Sequence, residues 1–105
     1  MKGDRSMKQP SLILLVKFKS RLSFAEVVQV IDRRAGEFRA LKGLQQKYYL
    51  QDTVTKEYAG LYLWESREDF WAYRDSELRA TIAKAYQTDG EPRIEVFDVI
   101  KPLRP

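Results

Sequence analysis

The sequence predicts an α+β fold in which helices cover one face of a four-stranded antiparallel sheet. Four stretches alternate apolar and polar residues with the period of two that is typical of strands, and two other stretches repeat with the helical period of 3.6. Their order along the chain is β-α-β-β-α-β, which is the ferredoxin-like arrangement. With 105 residues, of which 44% are hydrophobic and 32% charged, the composition is that of a globular protein.

The start of the chain differs in composition from the rest. Residues 1–10 are polar and charged without periodicity, so we expect a flexible N-terminal tail followed by a single domain at residues 11–105. No apolar run is long enough to cross a membrane, and the order of charged, apolar and small residues that marks a signal peptide is missing. We therefore expect a cytoplasmic protein without a membrane partner.

The first strand and the first helix are predicted next. The run LILLVKF, residues 12–18, is apolar and partly β-branched, which favours a strand. Ser23 and Glu26 have the spacing of a capping box, which begins a helix, and Gly43 ends it. The apolar stripe of this helix is predicted to be Phe24, Val27, Val28, Ile31, Ala35, Phe38 and Leu41.

The middle of the chain is predicted to be a hairpin rich in aromatic residues. Residues 44–52 and 57–65 alternate and are joined by the polar sequence TVTK, which indicates a four-residue loop. The pairs that this loop brings to one surface are Lys47 with Tyr62, Tyr49 with Gly60, and Gln45 with Trp64. A register shifted by one residue would replace Tyr49 by Tyr48 on that surface.

The second helix and the last strand complete the domain. Ser66 caps the helix, and Ser76 offers a fresh cap that would interrupt it near residues 75–76. Residues 93–101 alternate again, and Pro102 stops the strand. Because both helices of this fold cover the same side, the other side of the sheet is left bare and apolar enough to require a partner.

The composition restricts the available chemistry. Cysteine and histidine are absent, so thiolate or imidazole metal sites, haem held by histidine, and Ser-His-Asp or Cys-His nucleophiles are excluded, and we predict no metal site. The net charge is +4, but basic and acidic residues are interleaved, which makes a nucleic-acid partner a weak prediction. Catalysis would therefore use carboxylate, Lys, Arg, Tyr, Trp or backbone groups.

The aromatic surface of the hairpin has two interpretations, which the sequence leaves open. Tyr and Trp favour strands and pack well across them, so the rings could form ordinary core. Alternatively, Lys47 among the rings needs an anion and Gly60 leaves room, which together suggest a cavity. Against this, the Lys47 stem could reach water across apolar surface, and Gly60 could mark a bulge.

Carboxylates are weaker candidates for catalysis. Glu65, Glu68 and Asp69 lie at the start of the second helix, where acidic residues ordinarily serve capping and the helix dipole. Asp98 interrupts an otherwise apolar strand, and we expect it to accept hydrogen bonds from backbone or from an arginine. A role for Asp98 as catalytic base is the less favoured alternative.

Several short runs together resemble a known family. The runs GLQQKYYL, EYAGLYLWES and VFDVIKPL, with Ala72-Tyr73 between the last two, are similar in order and spacing to the YdhR-like putative monooxygenase family. That family belongs to the dimeric α/β-barrel superfamily, which includes the antibiotic-biosynthesis monooxygenases. The resemblance covers approximately residues 12–103 and depends on no single motif.

The resemblance implies an assembly and an activity. It implies a homodimer whose two sheets face each other in a barrel, with a pocket in each subunit between sheet and helices. It also implies oxygenation of small aromatic, phenolic or polyketide-like substrates without metal or flavin, so no cofactor is expected. The deprotonated substrate itself would reduce dioxygen, and the protein would supply shape, hydrogen bonds and a positive charge.

The monooxygenase hypothesis assigns roles to six residues. The predicted catalytic residues are Lys47, Tyr62 and Trp64, and the predicted substrate-binding residues are Tyr49, Gly60 and Phe70. Lys47 would stabilise an enolate or phenolate, the two tyrosines would donate hydrogen bonds, and Trp64 and Phe70 would form walls. Two alternatives are a dimer of the same fold that binds a metabolite without turnover, and an RNA-recognition domain. The RNA alternative is disfavoured because YAGLYLWES lacks that family's basic-Gly-aromatic motif.

Overall fold

The computed structural model describes residues 9–105, so most of the tail predicted for residues 1–10 lies outside the described residues. The elements in chain order are β1 (Leu12–Phe18), α1 (Phe24–Arg39), β2 (Leu44–Gln51), β3 (Tyr58–Trp64), α2 (Arg67–Arg74), α3 (Glu77–Ala80), α4 (Ile82–Ala85) and β4 (Arg93–Asp98). The four strands form one antiparallel sheet in the order β2-β3-β1-β4. The predicted ferredoxin-like α+β fold is therefore confirmed.

The hairpin register agrees with the prediction except at one end. Lys47 pairs with Tyr62 and Tyr49 with Gly60, so Tyr49 rather than Tyr48 shares their surface. The predicted pairing of Gln45 with Trp64 is wrong, because the register shifts between Leu44 and Gln46 and Leu44 takes the position opposite Trp64. Such a bulge places two residues of one strand opposite one of its partner, and alternation alone does not reveal it.

Helix α1 begins with the predicted capping box. The Ser23 hydroxyl accepts a hydrogen bond from the Glu26 amide at 3.2 Å, and the Glu26 carboxylate accepts one from the Ser23 amide at 2.8 Å. The buried stripe differs from the prediction in part, because Phe24 is 62% exposed and Val28 is also exposed. The buried residues are Val27, Val30, Arg34 and Phe38. Consecutive helical residues are separated by about 100°, so a stripe centred near Val27 turns Val28 away from the sheet.

The second helical segment breaks where the sequence predicts. Helix α2 ends at Arg74, with Asp75 as its C-cap, and the Ser76 hydroxyl then accepts a hydrogen bond from the Arg79 amide at 3.2 Å, which caps α3. The last strand is shorter than the predicted 93–101, since it ends at Asp98. The reason is that Asp98 pairs with Leu12, the first residue of β1, which leaves no strand for later residues to pair with.

Helices cover one face of the sheet and leave the other face partly exposed. The helix-covered face carries Leu12, Leu14, Val16, Phe18, Tyr62 and Trp64, all buried in the core. The opposite face carries Ile13, Leu15, Tyr48, Leu50, Leu61, Leu63 and Phe97, all at least partly exposed. This is the bare apolar face that the fold class predicts. Within residues 9–105, no helix has the length and apolar character needed to cross a membrane.

Candidate functional site

A small cavity lies between the sheet and the helices. Its volume is about 30 Å³, which is room for one or two small molecules the size of water. The residues lining it are Val16, Phe18, Ile31, Lys47, Tyr49, Leu50, Ala59, Gly60, Tyr62, Ile82 and Tyr86. Strands β1, β2 and β3 provide its floor, and α1 and α4 provide its roof.

Lys47 reaches from β2 into a cage of three aromatic rings. Its Nζ atom lies 3.4 Å from the centre of the Phe38 ring and 4.4 Å from the centres of both the Tyr49 and Tyr62 rings. No carboxylate among residues 9–105 forms an ion pair with it. Burial, with a smaller effect of the nearby Arg34 charge, lowers the pKa of Lys47 from 10.5 to about 7. The cage thus holds a cation without its own counter-ion.

Gly60 gives the Lys47 stem its space. A Cβ atom on Gly60 would lie 3.0 Å from Cε1 of Tyr62 and 3.2 Å from Cε of Lys47, both tighter than ordinary contact. The backbone at this glycine is extended and regular, so its role is to leave room rather than to permit an unusual conformation. The neighbouring strands therefore bring Lys47 and the Tyr62 ring together over a missing side chain.

The tyrosines of the site differ in their hydrogen bonding. The hydroxyls of Tyr62 and Tyr73 are 3.1 Å apart and share a hydrogen bond inside the core. Burial raises the pKa of Tyr62 well above its usual value and that of Tyr73 to about 12. Burial also raises the pKa of Tyr49, while the positive charges of Arg39 and Arg34 oppose this shift. All three phenols are therefore neutral at physiological pH and can act as hydrogen-bond donors.

The six predicted site residues do not all meet at the cavity. Those brought together around it are Lys47, Tyr49, Gly60 and Tyr62. Trp64 is 0% exposed and lies behind them, stacked on Tyr62 with ring centres 6.4 Å apart. Phe70 packs against Trp64, with the two ring centres 6.3 Å apart. Trp64 and Phe70 thus support the aromatic layer and do not line the cavity.

A larger groove adjoins the cavity between α1 and β2. Its volume is about 310 Å³, within the range of small-molecule sites. The residues lining it are Ala35, Phe38, Arg39, Leu44, Gln45, Gln46, Lys47 and Tyr49. This lining contains two cations and no carboxylate. Since Lys47 and Tyr49 line both spaces, they form the boundary between the groove and the cavity.

Three residues near the site were missed as functional candidates. Arg34 is buried on α1 and donates to the Leu78 carbonyl at 2.7 Å and the Thr81 carbonyl at 3.2 Å. Its position seven residues after Val27, on the apolar stripe, is the signal that could have identified it. Tyr73 entered only through the family resemblance, and Ile82 was not considered as a site residue. Their positions beside Tyr62 and the cavity depend on how α2 and α4 pack.

Carboxylates lie outside this site. Asp98 pairs with the Arg67 side chain, which confirms the expectation that it accepts from an arginine. In the part of the chain that the structure describes, no group of acidic residues has the arrangement of a metal site. The candidate site is therefore a lysine with tyrosines around an apolar cavity.

Fold and site together define a ferredoxin-like α+β domain with a caged lysine beneath its helices. Residues 13–104 match the family described as "Putative mono-oxygenase ydhR", and the chain belongs to that family. This confirms the resemblance found from the sequence. A search among curated proteins finds no significant match.

Solved structures with the same fold include oxygenases. SnoaB from Streptomyces nogalater, described as a cofactor-independent oxygenase, has a TM-score of 0.72 and 16% identity, covering 91% of this chain and 99% of that one. A protein from Caulobacter crescentus is described as a "putative antibiotic biosynthesis monooxygenase". It has a TM-score of 0.72 and 17% identity, covering 90% of this chain and 93% of that one. A dimeric ferredoxin-like protein of unknown function from Thermobifida fusca has a TM-score of 0.68 and 16% identity, covering 91% and 97%. At these identities the likeness establishes the fold alone.

Proposed function

We propose that this protein is a cofactor-independent monooxygenase that acts on an aromatic or polyketide-like substrate between its sheet and helices. One observation carries the proposal: Lys47 holds a partly buried amine among three aromatic rings, without a carboxylate partner in residues 9–105. A buried ammonium is costly unless an anion pairs with it. A phenolate or enolate seated against the rings would provide that anion.

The lowered pKa of Lys47 supports a role as the base that deprotonates the substrate before dioxygen reacts. With a pKa of about 7, a substantial fraction of the side chain is the neutral amine at neutral pH. The neutral amine accepts the acidic proton of a phenol or enol, and the resulting ammonium then faces the substrate anion. The anion is electron-rich and supplies all four electrons that reduce dioxygen, with one oxygen atom entering the substrate and the other leaving as water. For an activated CH₂ group the products are a carbonyl and water.

Two tyrosines are placed to orient such a substrate. Tyr49 lies at the boundary of groove and cavity, is partly exposed, and can donate its phenol proton to a substrate oxygen. Tyr62 is 1% exposed and already shares a hydrogen bond with Tyr73, which holds the ring in place under Lys47. Trp64 and Phe70 act behind them as packing that fixes the Tyr62 ring.

We also propose that two copies associate through the bare sheet face. Tyr48, Leu50 and Phe97 expose 43–49% of their surface on this face, beside partly buried Leu61 and Leu63. Two such faces packed together would exclude water from a continuous apolar layer. Light scattering at low micromolar concentration tests this, with a dimer expected for the wild type and a monomer for Leu61→Asp. A monomeric wild type contradicts the proposed assembly.

The ring burial argues against the RNA-binding alternative. Tyr62 and Trp64 lie beneath the helices, so their faces are not available to stack on bases. The remaining alternative, binding without turnover, uses the same site and is separated from catalysis by oxygen consumption.

The experiment combines binding with oxygen uptake. Trp71→Phe removes the exposed tryptophan, so the fluorescence of Trp64 alone reports ligands near Tyr62. A panel of phenols, naphthols and anthrones should include members that quench this fluorescence and cause oxygen uptake. Lys47→Met should abolish uptake, while Lys42→Met, which removes an exposed lysine, should not. Binding without uptake across the panel favours a non-catalytic protein, and intact turnover in Lys47→Met contradicts the role of Lys47.

A further inference from the structure

The inner cavity and the outer groove differ tenfold in volume. The groove, at about 310 Å³, can hold an aromatic ring system, whereas the cavity, at about 30 Å³, cannot. A molecule in the cavity must therefore be about the size of water or a diatomic gas. If the groove takes the aromatic substrate, the cavity is left for a second, much smaller ligand.

Most of the cavity lining is apolar. The side chains of Val16, Phe18, Ile31 and Ile82 line it on the helix-covered side, and the absent side chain of Gly60 contributes to its space. Seven of the eleven described residues that line it are apolar or glycine, and an apolar gas needs no hydrogen-bond partner to enter such a space. The polar side chains that line it are Lys47, Tyr49, Tyr62 and Tyr86.

We infer that this cavity is the dioxygen subsite of the proposed monooxygenase, separated from the aromatic substrate in the groove by Lys47 and Tyr49. The inference rests on the proposed function and specifies where its second substrate binds. Its apolar side chains favour dioxygen, and Lys47, the one charged residue among the described residues that line it, lies where negative charge would develop.

The position of Lys47 suits the chemistry of this arrangement. Its Nζ atom lies 4.4 Å from the centre of the Tyr62 ring, which lines the cavity, and 3.4 Å from the centre of the Phe38 ring, which lines the groove. The substrate anion gives one electron to dioxygen, and the superoxide formed is stabilised by the adjacent ammonium. Recombination of superoxide with the substrate radical forms the C–O bond of a peroxide anion, which takes the proton held by Lys47. The resulting hydroperoxide then loses water to leave a carbonyl.

Xenon is a suitable probe, because it binds apolar cavities and takes no part in the reaction. The wild-type protein should show saturable xenon binding by ¹²⁹Xe NMR. Val16→Ile adds one methylene inside the cavity and should abolish that binding. Val30→Ile makes the same change in a buried residue that does not line the cavity, and should preserve it.

Oxygen kinetics provide the second measurement. Val16→Ile should raise the KM for dioxygen about tenfold, as expected for overpacking a filled cavity, while the fluorescence-derived Kd for the aromatic ligand stays unchanged. Val30→Ile should leave both values as in the wild type. A Val16→Ile protein that loses xenon binding but keeps the wild-type KM for dioxygen overturns the inference.

The two proposals fail in different ways. Oxygen consumption by a wild-type protein that binds no xenon overturns the dioxygen subsite and leaves the proposed function intact. Xenon binding without oxygen consumption by any aromatic ligand contradicts the proposed function, and with it the use of this cavity for dioxygen.

Discussion

The amine of Lys47 lies over the ring of Phe38, with Nζ 3.4 Å from the ring centre. The two residues come from β2 and α1, so the contact joins the sheet to the helix that covers it. Ring faces attract the ammonium form, whereas burial away from water opposes it, and the net effect is a pKa lowered to about 7. The charge of Lys47 therefore depends on the balance between attraction to the rings and loss of water, and a bound ligand can change this balance.

This balance predicts a pH-dependent stability. The pKa of Lys47 is lower in the folded chain than its ordinary 10.5, so between pH 7 and 10.5 the unfolded chain binds more protons. Stability should therefore rise with pH through this window and be lowest, for this group, below pH 7. Lys47→Met should be more stable than the wild type by about 1–3 kcal/mol at pH 6, a difference that shrinks towards pH 9. Urea unfolding at several pH values measures it, and a difference independent of pH contradicts the lowered pKa.

Gly43 and Gly90 both have a left-handed backbone, so substitutions at the two positions can be compared directly. Gly43 has a φ of +79° and Gly90 a φ of +88°, but only at Gly43 would a Cβ atom meet another side chain, at 2.1 Å from Asp69 Oδ2. Gly90→Ala should cost about 1 kcal/mol of stability from backbone strain alone. Gly43→Ala should cost about 3 kcal/mol, since it adds a steric clash. Equal losses in thermal or urea unfolding would show that Asp69 moves aside freely.

Arg34 is predicted to hold the short helices after α2 in place. Its guanidinium donates to the carbonyls of Leu78, in α3, and Thr81, which directly precedes α4. Arg34→Met should cost about 2 kcal/mol and speed amide hydrogen exchange in α3 and α4. Arg33→Met, a change to the exposed neighbour, is the control and should alter neither. Unchanged exchange in Arg34→Met would mean that packing alone holds these helices.

The buried carboxylate of Glu57 predicts a loss of stability in acid. Arg93 donates two hydrogen bonds to it, at 2.9 and 3.1 Å, and these lower the pKa of Glu57. A lowered carboxyl pKa contributes stability that is present above its ordinary value of 4.5 and is lost as the pH falls through the folded value. Glu57→Gln should therefore be less stable than the wild type at pH 7, with the difference narrowing below pH 4. Glu91→Gln, at an exposed position, should match the wild type throughout.

Local signals in the sequence predicted most of the fold. The serines at positions 23, 66 and 76 cap helices because their hydroxyls reach amides three residues ahead, which is a property of adjacent residues. The loop of four residues likewise determined the register near the turn. The bulge near Leu44 was missed because an extra residue in a strand leaves the alternation on either side intact.

The sequence predicted which site residues share a face of the sheet, but not which of them line the cavity. Alternation correctly gathered Lys47, Tyr62 and Trp64 on one face of the sheet, and the structure shows that this face lies under the helices. Whether a ring on that face lines a cavity or lies in closed core depends on which helix covers it, and Trp64 is covered completely. The cage around Lys47 also needs Phe38 from α1, a contact between residues of different elements that strand patterns do not contain.

The most direct test of the account is to follow oxygen atoms with ¹⁸O₂. A phenol, naphthol or anthrone that quenches Trp64 fluorescence is incubated with the metal-free and flavin-free protein under ¹⁸O₂, and the product is analysed by mass spectrometry. One labelled atom should enter the product with the wild type and with Lys42→Met, whereas Lys47→Met should form no labelled product. Absence of labelled product from a ligand that binds in the site, or equal labelling by Lys47→Met, would contradict it.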